Sequence, residues 1–136
     1  MTKKLVKFIL ALTAGTLIGA MAAGSLHAQQ AGIKRTILMK NELTVEGREW
    51  VMAHAEIPVG MAAGRHFHHG EEMGYVLEGE MVLEIAGKAA QTLKAGDVYF
   101  IEAGKAHDAK AIGNVPLKLL AVYLPEKGKP FAVPVQ

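Results

Sequence analysis

The chain has 136 residues, 51% of them hydrophobic and 21% charged, which supports one domain with a real core and leaves no room for two. Three of its 15 Lys and Arg lie among the first 28 residues, and beyond them 12 basic residues face 13 acidic ones. So even a balance gives no electrostatic case for a nucleic-acid partner, and the absence of Cys excludes disulfides and thiolate metal sites.

Residues 1–28 read as a secretory signal peptide. Lys3, Lys4 and Lys7 form a positive start, Phe8 to Ala23 is an apolar run, and Leu26-His27-Ala28 ends on a small residue suited to cleavage. The run falls short of the ~20 apolar residues of a membrane span. No Cys follows it for a lipid anchor, and no Arg pair precedes it. The expectation is export of an unfolded chain to the periplasm, a mature start near Gln29 and no stable membrane anchor afterwards. Residues 29–136 then form a single domain, with a barrel over about 35–124 and a tail over 125–136.

RTILMK (Arg35–Lys40) reads as the first strand, and Trp50–Ile57 as the second. Pro58, Gly60 and Gly64 break the pattern, after which Gly recurs at 79, 87, 96, 104 and 113. Between these glycines lie short strand candidates: Met73–Leu77, Met81–Ile85, Gln91–Leu93, Val98–Ile101 and His107–Ile112. Leu117–Leu124 is a longer apolar strand, and the three Pro of the tail bar it from the middle of a sheet. No segment beyond residue 28 carries a convincing helical pattern. Short strands with regular turn signals predict an all-β domain, a double-stranded β-helix or jelly-roll barrel.

Within this frame one stretch carries chemistry, GMAAGRHFHHGEEMGYVLEG (Gly60–Gly79). His66 and His68 are two apart, so on a strand both imidazoles aim the same way. Glu72 opens the next strand, and His107 closes a second glycine-punctuated stretch, GDVYFIEAGKAH (Gly96–His107). Imidazole nitrogens and a carboxylate oxygen suit first-row divalent metals. Two histidines alone would read equally well as surface residues; Glu72 and His107 in register argue for a metal site. Gly74 and Val76 share the inward face of Glu72 and predict an apolar pocket with little bulk at Gly74. His54, Tyr99 and Tyr123 are further pocket candidates. His69, Glu71 and Arg65 alternate away from the ligand face, and Glu102 and Lys105 border the second stretch.

These two stretches resemble the two motifs of the cupins. Gly60, His66, His68, Glu72 and Gly79 occupy every fixed position of the first motif. Gly96, Gly104 and His107 match the second, with Glu102 where Pro is usual and Ala111 where Asn is usual. The resemblance implies the cupin barrel, a divalent transition metal (Zn, Cu, Fe, Mn or Ni) held by His66, His68, Glu72 and His107, and a homodimer in which the first strand crosses to its partner.

Four protein ligands on an octahedral ion leave two positions for water, dioxygen or a chelating substrate. The leading expectation is an enzyme acting on a small organic molecule, either as an oxygenase or as a lyase or isomerase using the metal as a Lewis acid. The alternative is a non-catalytic periplasmic protein that binds a metal or a small ligand, since no well-placed general base stands out. Rival chemistry is missing: there is no GxSxG, no phosphate-binding glycine loop and no Cys nucleophile. A chain loaded outside the cytoplasm would take Zn or Cu ahead of Fe or Mn on affinity.

Overall fold

The computed structural model describes residues 32–136; the signal-peptide expectation for Met1–Ala28 lies outside them. Among the described residues there are ten strands and no helix: β1 (Lys34–Glu42), β2 (Glu49–Ile57), β3 (His66–Phe67), β4 (Glu72–Glu78), β5 (Glu80–Ile85), β6 (Gln91–Lys94), β7 (Val98–Ile101), β8 (His107–Ile112), β9 (Leu117–Tyr123) and β10 (Val133–Pro134). They form two five-stranded antiparallel sheets. One runs β1-β2-β9-β4-β7 and the other β10-β3-β8-β5-β6.

Period-two alternation decides which side chains meet between the sheets. On β2, Val51, Ala53, Ala55 and Ile57 are buried while the residues between them are half-exposed. On β9, Leu117, Leu119, Ala121 and Tyr123 are buried in the same way. From the second sheet, Met81, Leu83 and Ile85 of β5 close the core against Ile57, Val76 and Leu119. Full burial of each such aliphatic side chain stabilises the fold by ~1.5–3 kcal/mol, and this layer holds the two sheets in register.

The turns fall where the glycines predicted them. Gly79 joins β4 to β5 at φ 81°, with Pro116 packed so close that a Cβ would lie 2.7 Å from its carbonyl oxygen. Only glycine combines that φ with that approach at no steric cost.

Two features extend the expectations. The first strand, expected to cross to a partner, pairs with β2 of its own chain from Lys34↔Glu56 to Glu42↔Glu49, with a bulge between Ile37 and Met39. The turn between them reverses the chain through a Leu43 N–H to Arg48 C=O bond of 3.0 Å, so β1 reaches its neighbour locally and keeps its outer edge open. The tail also forms a strand: β10 pairs with β3 through Val133↔Phe67 and Pro134↔His66. It is an edge strand, as its proline requires.

Candidate metal centre

The strand pairing builds the centre directly. His66 on β3 is the register partner of His107 on β8 in the second sheet, and directly opposed residues project to one face. His68 lies two residues on and aims the same way. Glu72 comes from the other sheet, where β4 is flanked by β7 (Glu72↔Ile101) and β9 (Glu72↔Tyr123). The cluster therefore straddles both layers. All four residues are buried, at 3%, 3%, 6% and 2% exposure for His66, His68, Glu72 and His107. Their ligand atoms lie within 4.8 Å of one another.

Hydrogen bonds at the far side of each ring fix which nitrogen faces inward. His66 Nδ1 donates to the Gly64 carbonyl at 2.6 Å, His68 Nδ1 to the Phe131 carbonyl at 2.5 Å, and His107 Nδ1 to the Lys105 carbonyl at 2.8 Å. A carbonyl only accepts, so each neutral ring carries its proton on Nδ1 and turns an Nε2 lone pair inward. Those lone pairs meet other acceptors. His66 Nε2 is 3.1 Å from His68 Nε2, and Glu72 Oε2 is 3.1 Å from His68 Nε2 and 3.3 Å from His107 Nε2. His107 Nε2 is buried and makes no aligned hydrogen bond. Acceptors facing acceptors out of contact with water call for a cation between them, and the three-nitrogen, one-oxygen set fits a divalent transition metal. The backbone carbonyls behind the rings are the orienting partners that metal-binding imidazoles require.

Without a metal, protons must do part of this work. Burial raises the pKa of Glu72, but the adjacent His107 and His68 outweigh it and hold the carboxyl well below its usual range. Burial lowers the pKa of His107, but the Glu72 carboxylate outweighs it and carries the imidazole above its ordinary value. Burial, together with the charge of His107, brings His66 down to about 3. Without a metal, these surroundings favour the carboxylate form of Glu72 and the charged form of His107, and disfavour charge on His66.

Tyr99 completes the support. Its hydroxyl donates to Glu72 Oε1 at 2.9 Å, and burial followed by the Glu72 charge raises its pKa well above that of a free phenol. Room for the ring comes from Gly74, where a Cβ would lie 2.4 Å from the Tyr99 ring. The space expected to open a pocket at Gly74 is therefore filled by the tyrosine that orients Glu72.

Beside the ligands is a cavity with about 20 Å³ of room for water centres. One water needs ~10–15 Å³, so the cavity has room for one or two waters. Tyr99 and Tyr123 line it, as do Ile33, Ile57, Ile101 and Leu119. Two other pocket candidates do not. Val76 is fully buried in the core among the aliphatic residues. His54 lies on the opposite face of β2 from the buried Ala53 and Ala55, so its side chain turns outward. Glu102 pairs with Lys88 on the surface at 2.8 Å, and Lys105 meets the site through its carbonyl.

Two residues of the site had no sequence signal of their own. Arg35 enters the cavity from β1. Phe131, in the tail, holds His68 through its carbonyl and sets its ring against His68 and Tyr123 at centroid distances of 5.2 and 4.7 Å. Both depend on strand pairing, the β1–β2 hairpin for one and β10 with β3 for the other.

Comparison with known proteins agrees with fold and site. The cupin-domain family model matches residues 53–123, over half the chain, and the chain belongs to the cupin family. The oxalate-binding protein of Thermotoga maritima is 40% identical over 75 residues, 54% of this chain and 61% of that protein. An RmlC-like cupin from Shewanella frigidimarina superposes with a TM-score of 0.59 at 25% identity, covering 71% of this chain and 79% of that one. The DMSP lyase DddQ of Ruegeria pomeroyi superposes at 0.57 with 22% identity, covering 63% of this chain and 43% of that one, a likeness of fold alone. Against its curated relatives the chain spans 61% and 64% of their lengths.

Metal uptake at this centre competes with the proton on His107. As pH falls through the raised His107 pKa, the ring charges and the ion must displace a proton; above it the lone pair is free. Zinc affinity, measured by chelator competition from about pH 6 to pH 8, is expected to rise with pH and to release protons into the buffer. A flat profile would contradict the ligand assignment.

Proposed function

We propose that the chain holds one divalent transition metal on His66, His68, Glu72 and His107 and uses the remaining coordination positions to bind a small chelating organic acid. The observation that carries this reading is the convergence of four buried acceptor atoms beside one small, largely apolar cavity. Similarity to an oxalate-binding protein supports an acid of that size as the ligand.

When bound, the metal supplies Lewis acidity toward the ligand's oxygens. The chain's own residues bind, orient and exclude water. The three imidazoles are locked by backbone carbonyls, Tyr99 fixes one oxygen of Glu72, and Ile33, Ile57, Ile101 and Leu119 keep bulk water out. Turnover as an oxygenase, lyase or isomerase is the second reading, favoured by the Tyr123 hydroxyl in the cavity. Burial, with the Glu72 charge, raises the Tyr123 pKa, which keeps its proton on. Among the described residues, no cavity group beyond the metal ligands is ready to accept a proton at neutral pH. On this ground we put binding without turnover ahead of it.

Export to the periplasm on residues 1–28 belongs to the same proposal, with Zn or Cu as the metal taken up outside the cytoplasm. So does a homodimer. Across the outer face of the first sheet, Met52, Val122, Met73 and Phe100 align in register, beside Leu120, Tyr75 and Val98. Met73, Tyr75, Phe100 and Val98 are 36%, 44%, 49% and 70% exposed, an apolar face of the kind that covers itself in a second copy.

Two outcomes are expected. Zinc-loaded protein binds oxalate in calorimetric titration and returns it chemically unchanged by mass spectrometry; catalytic loss of the acid would move the assignment to the enzyme reading. Light scattering at micromolar concentration gives twice the chain mass, and Phe100→Glu lowers it to one chain; a monomeric wild type rejects the dimer.

A further inference from the structure

The three imidazoles of the centre are not held in the same way. His66 and His107 each donate Nδ1–H to a carbonyl two residues back in their own segment, that of Gly64 or Lys105. Their orientation is set wherever the local chain is folded. His68 donates instead to Phe131, 63 residues further on. The tail reaches it by running antiparallel along the segment that carries both His66 and His68. Glu126 N–H donates to the His69 carbonyl at 3.0 Å, and Val135 N–H to the Arg65 carbonyl at 3.0 Å. Val133 stands opposite Phe67, and Pro134 opposite His66. Within this span residues 127–130 are exposed. Phe131 then lays its ring against His68 and Tyr123, and Ala132 is buried. Every residue from Arg65 to His69 is thus met by the tail, and His68 is met by both a carbonyl and a ring.

A two-residue edge strand and a few hydrogen bonds make a segment that opens locally at far lower cost than the barrel unfolds. When it lifts, His68 loses the acceptor behind Nδ1 and the wall beside its ring. A neutral imidazole without that partner populates both tautomers and other rotamers, and those states present no lone pair at the centre. An ion held on Nε2 selects the state whose Nδ1–H faces Phe131, so it favours the docked tail over the lifted one. Such coupling is reciprocal. This step rests on the reading above that a divalent ion occupies the four ligands. We propose that residues 126–135 form a metal-coupled strap with Phe131 as its positioning residue: the docked tail raises metal affinity, and the metal in turn locks the tail.

The test uses untagged full-length protein and reads two quantities. The first is amide hydrogen exchange in wild type, with and without zinc, compared between the two edges of one sheet, β10 and β6. Zinc is expected to slow exchange across residues 127–136 by about tenfold or more and to leave β6 unchanged. The second is zinc affinity by chelator competition at one pH for wild type, Phe131→Gly and Val135→Pro. The glycine removes the ring and loosens the chain. The proline removes the N–H that Arg65 accepts, away from every ligand. Both variants are expected to keep the barrel's circular dichroism and to bind zinc about 10–100-fold more weakly, the usual loss when a ligand's orienting partner is removed. Unchanged affinity in folded variants, or tail exchange slowed no more than that of β6, overturns the strap while leaving the metal site standing. If neither variant folds, the wild-type exchange comparison decides alone. A wild type that takes up no zinc sinks the metal reading itself.

Discussion

Three imidazole lone pairs and a carboxylate, brought together out of contact with water, are the constraint on which the rest of this molecule depends. Such acceptors repel one another, and removing an unpaired ion from water costs several kcal/mol. Either protons or a metal must stand between them. The hydrogen bonds behind the rings decide how. Each imidazole spends its Nδ1 proton on a backbone carbonyl, of Gly64, Phe131 or Lys105, so the inward nitrogens are set as ligands before any ion arrives.

The fold supplies rigidity where the site needs it. Two ligands are register partners on adjacent strands of one sheet, and the third imidazole follows by alternation. The carboxylate comes from the opposite sheet, held there by β7 and β9 on either side. A slip of one residue in either sheet would turn a ligand outward. The aliphatic layer between the sheets resists that slip, and Gly74 gives its volume to the tyrosine that orients Glu72. The tail closes the arrangement, with Phe131 serving His68 through its carbonyl and Arg35 through its ring.

Much of this was legible in the residues themselves. The His66–His68 spacing and Glu72 at a strand start are local patterns, and period two converts them directly into geometry. The glycines at 79, 87, 96, 104 and 113 punctuated the strands because turns demand them. Non-local pairing was not legible. Arg35 reaches the cavity only because a hairpin sets it opposite Ala55, and Phe131 only because a two-residue strand docks beside β3. His54 misled for a related reason. Both faces of β2 are apolar, Trp50 and Met52 on one and Val51, Ala53, Ala55 and Ile57 on the other, so alternation alone could not say which face turns inward.

The central claim is that the four converging residues hold a metal. Elemental analysis of untagged protein, beside a folded His66→Ala/His68→Ala variant, tests it most directly. The account predicts about one transition-metal ion per chain in the native protein and none in the variant. Protein that carries no metal, and takes none up on reloading, would contradict it and leave the buried cluster a proton-bridged element of the barrel.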